Sequence, residues 1–494
     1  MPKFPVKAEK KSVEAQWVSV KVVKKTQTDD KVQRSLHYSN MEGAFANAAG
    51  NITGSYTTPY ALALKATNAE IGFLNALQNL AATFAQIPGA RLSAWLGSRK
   101  SAWFLSHIFQ RIFWIPIILL PFIGASNPVL FLIIMLTVVS FFANMRGPAW
   151  SSLMGDLVPK HKWGKYFGWR NTILGIAGLI AILAAGQILI WFGFSILFTV
   201  ALVLGFLSIY FFMKMYEPGF RREYHYTHTI RLSPREWVKS LNLHKNFAYF
   251  TLYMTAVRFA ENIASPFFAV YQLRYLNVGY GWYAALIVVE ALVMIFSQPY
   301  WGRLCDKVGD RKIMVVTGIL ICFVPFFYLF VTNPYEIVFV GMFSGFAWAG
   351  FGITTFNFML AASPAEKRAE YTANFSFFTG LGVVFGSLAG GVLAVLAQGN
   401  VLLWMQGLQI VFLISFLARI GCLAILPKLK ETRIEERGPP VAEIFWRTVA
   451  VRPVRGVVHA IIHPNYTEWD REFRGFLRNG WNTLKYKIKM RRNR

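Results

Sequence analysis

PYWGRLCDKVGDRK at 299–312 is a short basic turn between two apolar runs, and GARLSAWLGSRK at 89–100 repeats it. Leu92, Gly97, Arg99 and Lys100 stand opposite Leu304, Gly309, Arg311 and Lys312 at a constant offset of 212. A second set agrees: Pro159, Lys162 and Tyr166 match Pro364, Lys367 and Tyr371 at an offset of 205. The two sets fall after the second and the fourth apolar run of their respective halves. The chain therefore reads as a duplicated unit of six helices.

Working outward, 55% of the 494 residues are hydrophobic and 15% charged, too apolar a balance for a chain of this length with a watery surface. Crossing a hydrocarbon layer about 30 Å thick takes roughly 20 apolar residues as a helix, the form that satisfies its own backbone groups. Such stretches fall near 40–63, 69–96, 102–123, 127–148, 166–191 and 194–215, and again near 246–271, 281–300, 313–332, 334–360, 372–397 and 400–426. The expected fold is an all-α membrane protein with about twelve transmembrane helices in two pseudo-symmetric six-helix bundles. Its parts are a basic tail at 1–38, a bundle at 39–216, a linker at 217–245, a bundle at 246–427 and a basic tail at 428–494.

Positive charge sorts the connections. One alternating set carries Arg91, Arg99 and Lys100, then Lys160, Lys162 and Lys165, the linker, Arg303, Lys307, Arg311 and Lys312, and Lys367 and Arg368; the other offers only Lys65 and Arg274. Cytoplasmic loops retain Lys and Arg, so both termini are expected in the cytoplasm of a multi-pass protein of a prokaryotic-type plasma membrane. The net charge of +27 does not indicate nucleic acid: the tail at 1–38 supplies +5 and the tail at 428–494 supplies +9, which suits anionic lipid head groups. From Trp469 onward, Phe473, Phe476, Leu477, Trp481 and Leu484 alternate with basic residues at helical spacing, as in a helix lying in the membrane interface.

Enzymatic chemistry finds no foothold. Cys305, Cys322 and Cys422 are odd in number, far apart and set in or beside apolar runs, so they are expected to be packing residues. None of the eight histidines, His107 included, is placed near the middle of a span, and there is no phosphate-binding GK[ST] loop. No metal and no cofactor is expected, and no cleavable signal peptide is read in the polar first 38 residues.

GRLCDKVGDRK resembles the GxLxDRxGRR loop signature of the major facilitator superfamily, at the place of that family's second copy, and the resemblance covers roughly residues 38–427. It implies a gating loop of Gly302, Asp306, Gly309, Arg311 and Lys312, with Arg99 and Lys100 in the first copy. Gly302 and Gly309 would allow close helix approach and a tight turn. The Asp306 carboxylate would meet the N-terminus of the eleventh helix, with Arg311 as second partner. The first copy departs from the pattern, with Ala94 in place of the Asp and Ala90 in place of the Gly, so Arg99 and Lys100 are expected to use another acid such as Asp156.

Candidate solute contacts form stripes. Asn47, Asn51 and Ser55 recur every four residues on the first helix, with Tyr56 near its outer end, and Asn75, Asn79 and Thr83 do so on the second. They line a cavity or hold packed helices together, the latter helped by Gly50 and Gly54. Asn262, Trp348 and Asn357, with Phe267 and Phe268, would complete an amphipathic cavity. Ionisable groups deep in spans are costly and mostly functional. Arg258, Glu261 and Glu290 are such groups: Arg258 would pair with Glu290 or Glu261, leaving one acid to carry a proton. In the first half Glu42 would pair with Arg111, while Arg146 would anchor its span or bind a phosphate or carboxylate. The expected function is secondary transport of a small solute by alternating access, coupled to protons or another ion; the alternatives are a lipid or lysolipid flippase and a non-transporting receptor or scaffold.

Overall fold

The computed structural model describes residues 7–158, 163–218, 245–363, 368–398, 401–402, 405–431, 441 and 444, with only the backbone described for 7–29, 87, 90, 163–165, 368–370, 373, 401–402 and 406. The interfacial helix expected from Trp469 lies outside these residues. Helices α1 (Lys7–Ala63), α2 (Asn68–Leu96), α3 (Arg99–Ile112), α4 (Trp114–Ile123), α5 (Pro128–Met145), α6 (Gly147–Leu157) and α7 (Trp163–Met213) build the first half. Helices α8 (Lys245–Val270), α9 (Tyr280–Val308), α10 (Asp310–Phe327), α11 (Pro334–Ala362), α12 (Arg368–Leu396) and α13 (Leu408–Leu423) build the second. A two-stranded hairpin, β1 (Val401–Leu402) with β2 (Met405–Gln406), joins α12 to α13.

The boundaries depart from the apolar runs in three places. Helix α1 begins at Lys7, well before its membrane-embedded part. The third crossing is broken at Phe113 and the fourth at Arg146, so α3 with α4 and α5 with α6 form one crossing each. The chain stays helical past Arg146 as far as Leu157, which places Asp156 in α6 and not in a loop. Helix α7 is two crossings joined at Gly193, whose φ of 78° lies in the left-handed region open to glycine.

Seven stretches among the described residues are long and apolar enough to cross a membrane, the longest being Tyr166–Met213 with its two crossings. The remaining four crossings, in α1, α2, α8 and α10, carry the Asn stripes, the Arg258 and Glu261 charges and the Asp310, Arg311 and Lys312 start. Polar residues thus dilute the hydropathy of those helices.

Pairing repeats between the halves. The first crossing packs on the fifth and the second on the fourth; in the same way α8 packs on α12 and α9 on α11. The main contacts between the halves are α2 against α12 and α7 against α9, and α8 also touches α1 and α2. The first is very close: a β-carbon on Gly72 would lie 2.6 Å from Gly391 Cα.

The outer ends of the first, sixth, seventh and twelfth crossings share one face, the termini face. There Ser35 Oγ accepts from Tyr216 N (2.7 Å), and Asn246 and Lys430 exchange two hydrogen bonds at 2.8 and 2.9 Å. At the opposite face a single apolar cluster draws on both halves, from Tyr56, Tyr60 and Leu74 to Phe267, Tyr283 and Phe412. At the termini face the clusters are separate: Trp103, Leu153 and Phe212 belong to one half, Phe250, Trp301 and Phe358 to the other. The apolar cluster shared by both halves thus lies away from the termini face, where each half has its own.

Candidate functional site

The repeated basic turn builds two matching helix starts. Gly97 (φ 63°) precedes α3 and Gly309 (φ 95°) precedes α10, both with left-handed backbones. Helix starts expose unpaired N–H groups and attract carboxylates. The Arg99 N–H donates to Glu217 Oε1 at 2.7 Å and the Arg311 N–H to Glu431 Oε2 at 2.8 Å. Each glutamate follows the last helix of its own half, so each half is closed on itself by one carboxylate. Arg99, 2% exposed, also pairs with Asp156 and donates to the Pro218 carbonyl at 2.9 Å. Lys100 Nζ donates to the Met213 and Met215 carbonyls at the end of α7.

Other members of the loop sit differently from expectation. A β-carbon on Gly302 would meet nothing within 4 Å, so this glycine does not serve close helix approach. Asp306 is exposed near the end of α9, and residues 364–367, which lead into the eleventh helix whose N-terminus it was expected to meet, lie outside the described ones. Asp310 is fully buried and accepts from Asn357 Nδ2 at 2.9 Å, which puts Asn357 at the loop and not among the cavity residues.

Charges within the first half pair otherwise than expected. Glu42 Oε2 accepts from Arg170 Nη2 at 3.0 Å, not from Arg111. The cause is packing: α1 lies along α7, so a glutamate on the first crossing meets the fifth. Gly43 opens the space, since a β-carbon there would press on the Arg170 guanidinium, whose other face covers the Trp150 ring at 4.6 Å. Arg111 turns to His107, a fully buried histidine one turn earlier and inside the third crossing, contrary to the expected placement of histidines away from such depths. Glu42→Ala leaves a guanidinium 7% exposed without its carboxylate, and the expected cost is about 3 kcal/mol. An unchanged unfolding midpoint in detergent would show that Ser39 and Trp150 suffice for Arg170.

Of the Asn stripes, the one on α1 meets another helix. Asn47 Nδ2 donates to the Leu174 carbonyl on α7, and a β-carbon on Gly178 would press on the amides of Asn47 and Asn51. Asn51, Asn75, Asn79 and Asn262 each donate to the carbonyl four residues earlier. Gly50 and Gly54 have open space around them and do not mediate the approach; Gly178 does. Tyr56 is buried in the seam, with its hydroxyl 3.4 Å from the Ile182 carbonyl and its ring edge-on to Tyr283 at 6.1 Å.

A cavity of about 310 Å³ opens inside the second half, walled by Phe268, Tyr283, Tyr328 and Trp348 and carrying Glu261, Glu290, Gln272 and Arg419. Arg258 Nη1 donates to Glu261 Oε2 at 2.8 Å, the i to i+3 alternative, and its guanidinium stands 5.9 Å from the Trp348 ring. Glu290 accepts from the Ser344 hydroxyl at 2.7 Å and has no cation bonded to it among the described residues. Arg419, on the last helix, is 2% exposed and donates through Nη1 to the Ile321 carbonyl at 2.7 Å. Arg419 and Ser344 were missed from the sequence, although an arginine inside the run ISFLARIGCL was a signal of the same kind as Arg258. Two carboxylates, a hydroxyl bonded to one of them and a guanidinium on one aromatic-lined cavity can bind a polar or charged solute and can hold a proton on Glu290.

A multi-pass bundle of two repeated halves with ionisable groups on an internal cavity defines a membrane carrier. The family model described as Major Facilitator Superfamily matches residues 43–289 and 250–463, and this chain belongs to that family, one of transporters and not of enzymes. Among curated proteins, it is 25% identical over 342 residues to an uncharacterized MFS-type transporter of Methanocaldococcus jannaschii, covering 68% of this chain and 84% of that one. An uncharacterized MFS-type transporter of Bacillus subtilis is 32% identical over 113 residues, 23% of this chain and 29% of its own length. The multi-drug resistance efflux pump PmrA of Streptococcus pneumoniae is 26% identical over 206 residues, 40% of this chain and 48% of the pump. The match thus spans less than half of two of these relatives. In fold, the nucleoside transporter NupG superposes with a TM-score of 0.62 at 15% identity, covering 80% of this chain and all of that one. A bacterial homolog of the human lysosomal transporter Spinster, in an inward-facing and occupied conformation, gives 0.61 at 16% identity over 82% and 98%.

Proposed function

We propose that this protein is a secondary transporter that carries a small solute across the plasma membrane by alternating access, with Glu290 taking up and releasing the coupling proton. The observation that carries the proposal is the 310 Å³ cavity in which Glu290 is bonded to a hydroxyl while the neighbouring Glu261 is neutralised by Arg258. Of the two acids, only Glu290 is left without a cationic partner that holds its charge fixed. Positive charge on the basic loops supports a cytoplasmic termini face, and the apolar cluster shared by both halves at the opposite face supports an inward-facing conformation. Mixed charge and aromatic walls favour a solute with both a polar group and an apolar body.

The test uses the purified protein in liposomes with a pH-sensitive dye inside and an imposed pH gradient. Addition of solutes from a panel of sugars, nucleosides, peptides, organic anions and drugs is expected to produce solute-dependent proton flux for at least one class. Solute movement that ignores the gradient would remove proton coupling and leave a carrier. Movement of a fluorescent phospholipid between leaflets in place of any solute would replace the carrier reading with a flippase.

A further inference from the structure

We infer that His107, Arg111 and Arg146 form a second binding site, within the first half, for a small oxyanion such as phosphate or a carboxylate. Arg111 Nε and Nη2 lie 3.1 and 2.8 Å from His107 Nε2, and Arg146 Nη1 lies 3.0 Å from the same nitrogen and 3.2 Å from Nδ1. A neutral imidazole has one acceptor nitrogen. Two guanidinium groups therefore compete for a single lone pair, and most of their N–H donors are left over.

The charge balance points the same way. No carboxylate among the described residues bonds to Arg111 or Arg146. Glu42, the acid in this half that faces the α1–α7 seam, is already paired with Arg170. Two cations without an acid are strongly disfavoured inside a membrane, and a bound anion removes the imbalance. Two planar forks converging on one point suit the oxygens of a carboxylate or phosphate better than a spherical ion. The site is built and not incidental: His107 is 0% and Arg111 3% exposed, Trp103 packs edge-on to the imidazole, and Gly205 makes room for the Arg111 guanidinium, on which a β-carbon would fall. Arg146 keeps part of its surface open at the break between α5 and α6, which supplies the entrance. Arg111 stands twelve residues into its crossing, about 18 Å along the helix, too deep for a lipid head group and suited to a free anion.

The experiment reads binding and needs no transport, so it is independent of the function proposed above. Thermal unfolding of the purified full chain in detergent is followed during titration with sodium phosphate, sodium acetate and sodium chloride at constant ionic strength, and separately with phosphatidylglycerol. Phosphate or acetate is expected to raise the midpoint saturably where chloride does not. In Arg146→Gln the apparent Kd should rise about tenfold or more, and Gly205→Ala, which alters no charge, should weaken binding by displacing Arg111. Arg146→Lys, which keeps the charge but not the fork, should fall between. A saturable shift that survives in Arg146→Gln, or none with any free oxyanion, overturns the inference. Stabilisation by phosphatidylglycerol alone assigns the cluster to a lipid and overturns it as well.

Discussion

Glu290→Gln should abolish proton-driven solute movement, bringing gradient-dependent uptake down to that of empty liposomes, while the protein remains folded. The substitution keeps the shape of the side chain and an oxygen for the Ser344 hydroxyl, whose hydrogen bond is 2.7 Å long. It removes the one thing the carboxylate does that an amide does not, the loss and gain of a proton. Exchange of labelled for unlabelled solute, which moves no net proton, should continue. Full gradient-driven uptake in Glu290→Gln would end the assignment. Glu261→Gln makes a useful contrast, because it strips Arg258 of the carboxylate 2.8 Å away and should impair stability together with flux.

The second large effect is structural. Along α12, Gly382, Gly386 and Gly390 lie against the backbone carbonyls of Thr255, Phe259 and Ile263 on α8, four residues apart on both helices. Glycines at this spacing let two membrane helices touch backbone to backbone, with dispersion and Cα–H···O contacts in place of side-chain packing. A β-carbon at Gly386 would overlap the Phe259 carbonyl, a group that cannot rotate aside. Gly386→Leu should therefore yield no monodisperse folded protein by size exclusion, and Gly386→Ala should cost about 1–3 kcal/mol. Gly54→Ala is the control, since nothing lies within 4 Å of the added carbon. A normal unfolding midpoint for Gly386→Leu would mean that α8 and α12 are not held by this stripe.

Much of the architecture was legible because lipid imposes a coarse code. Apolar run lengths and the Lys and Arg bias located the crossings, and the offset of 212 paired Gly97 with Gly309 before either was known to start a helix with positive φ. Neighbours were harder. Sequence gives the depth of Glu42 and Arg111 but not the direction each faces, and the first crossing turned Glu42 toward Arg170. Glu217 and Glu431 were passed over because an acid after a last apolar run looks like the start of a tail, although their separation of 214 nearly repeats the offset already found. The Asn stripes followed helical spacing faithfully, but spacing describes one face without naming what it meets; against α7 that face meets Leu174 and Gly178.

Among the described residues, the walls of the cavity come from 261–419, so an occupant rides on one bundle and has little grip on the other. A ligand shifts a conformational balance only as far as it distinguishes the two states. Two wall residues also reach across to the partner bundle: Tyr283, whose hydroxyl donates to the Ser55 carbonyl at 3.3 Å, and Ile287 beside Ile182. On the proposed function they would be the clutch between cargo and motion, and a solute too short to press on them would occupy the hollow without turning the machine.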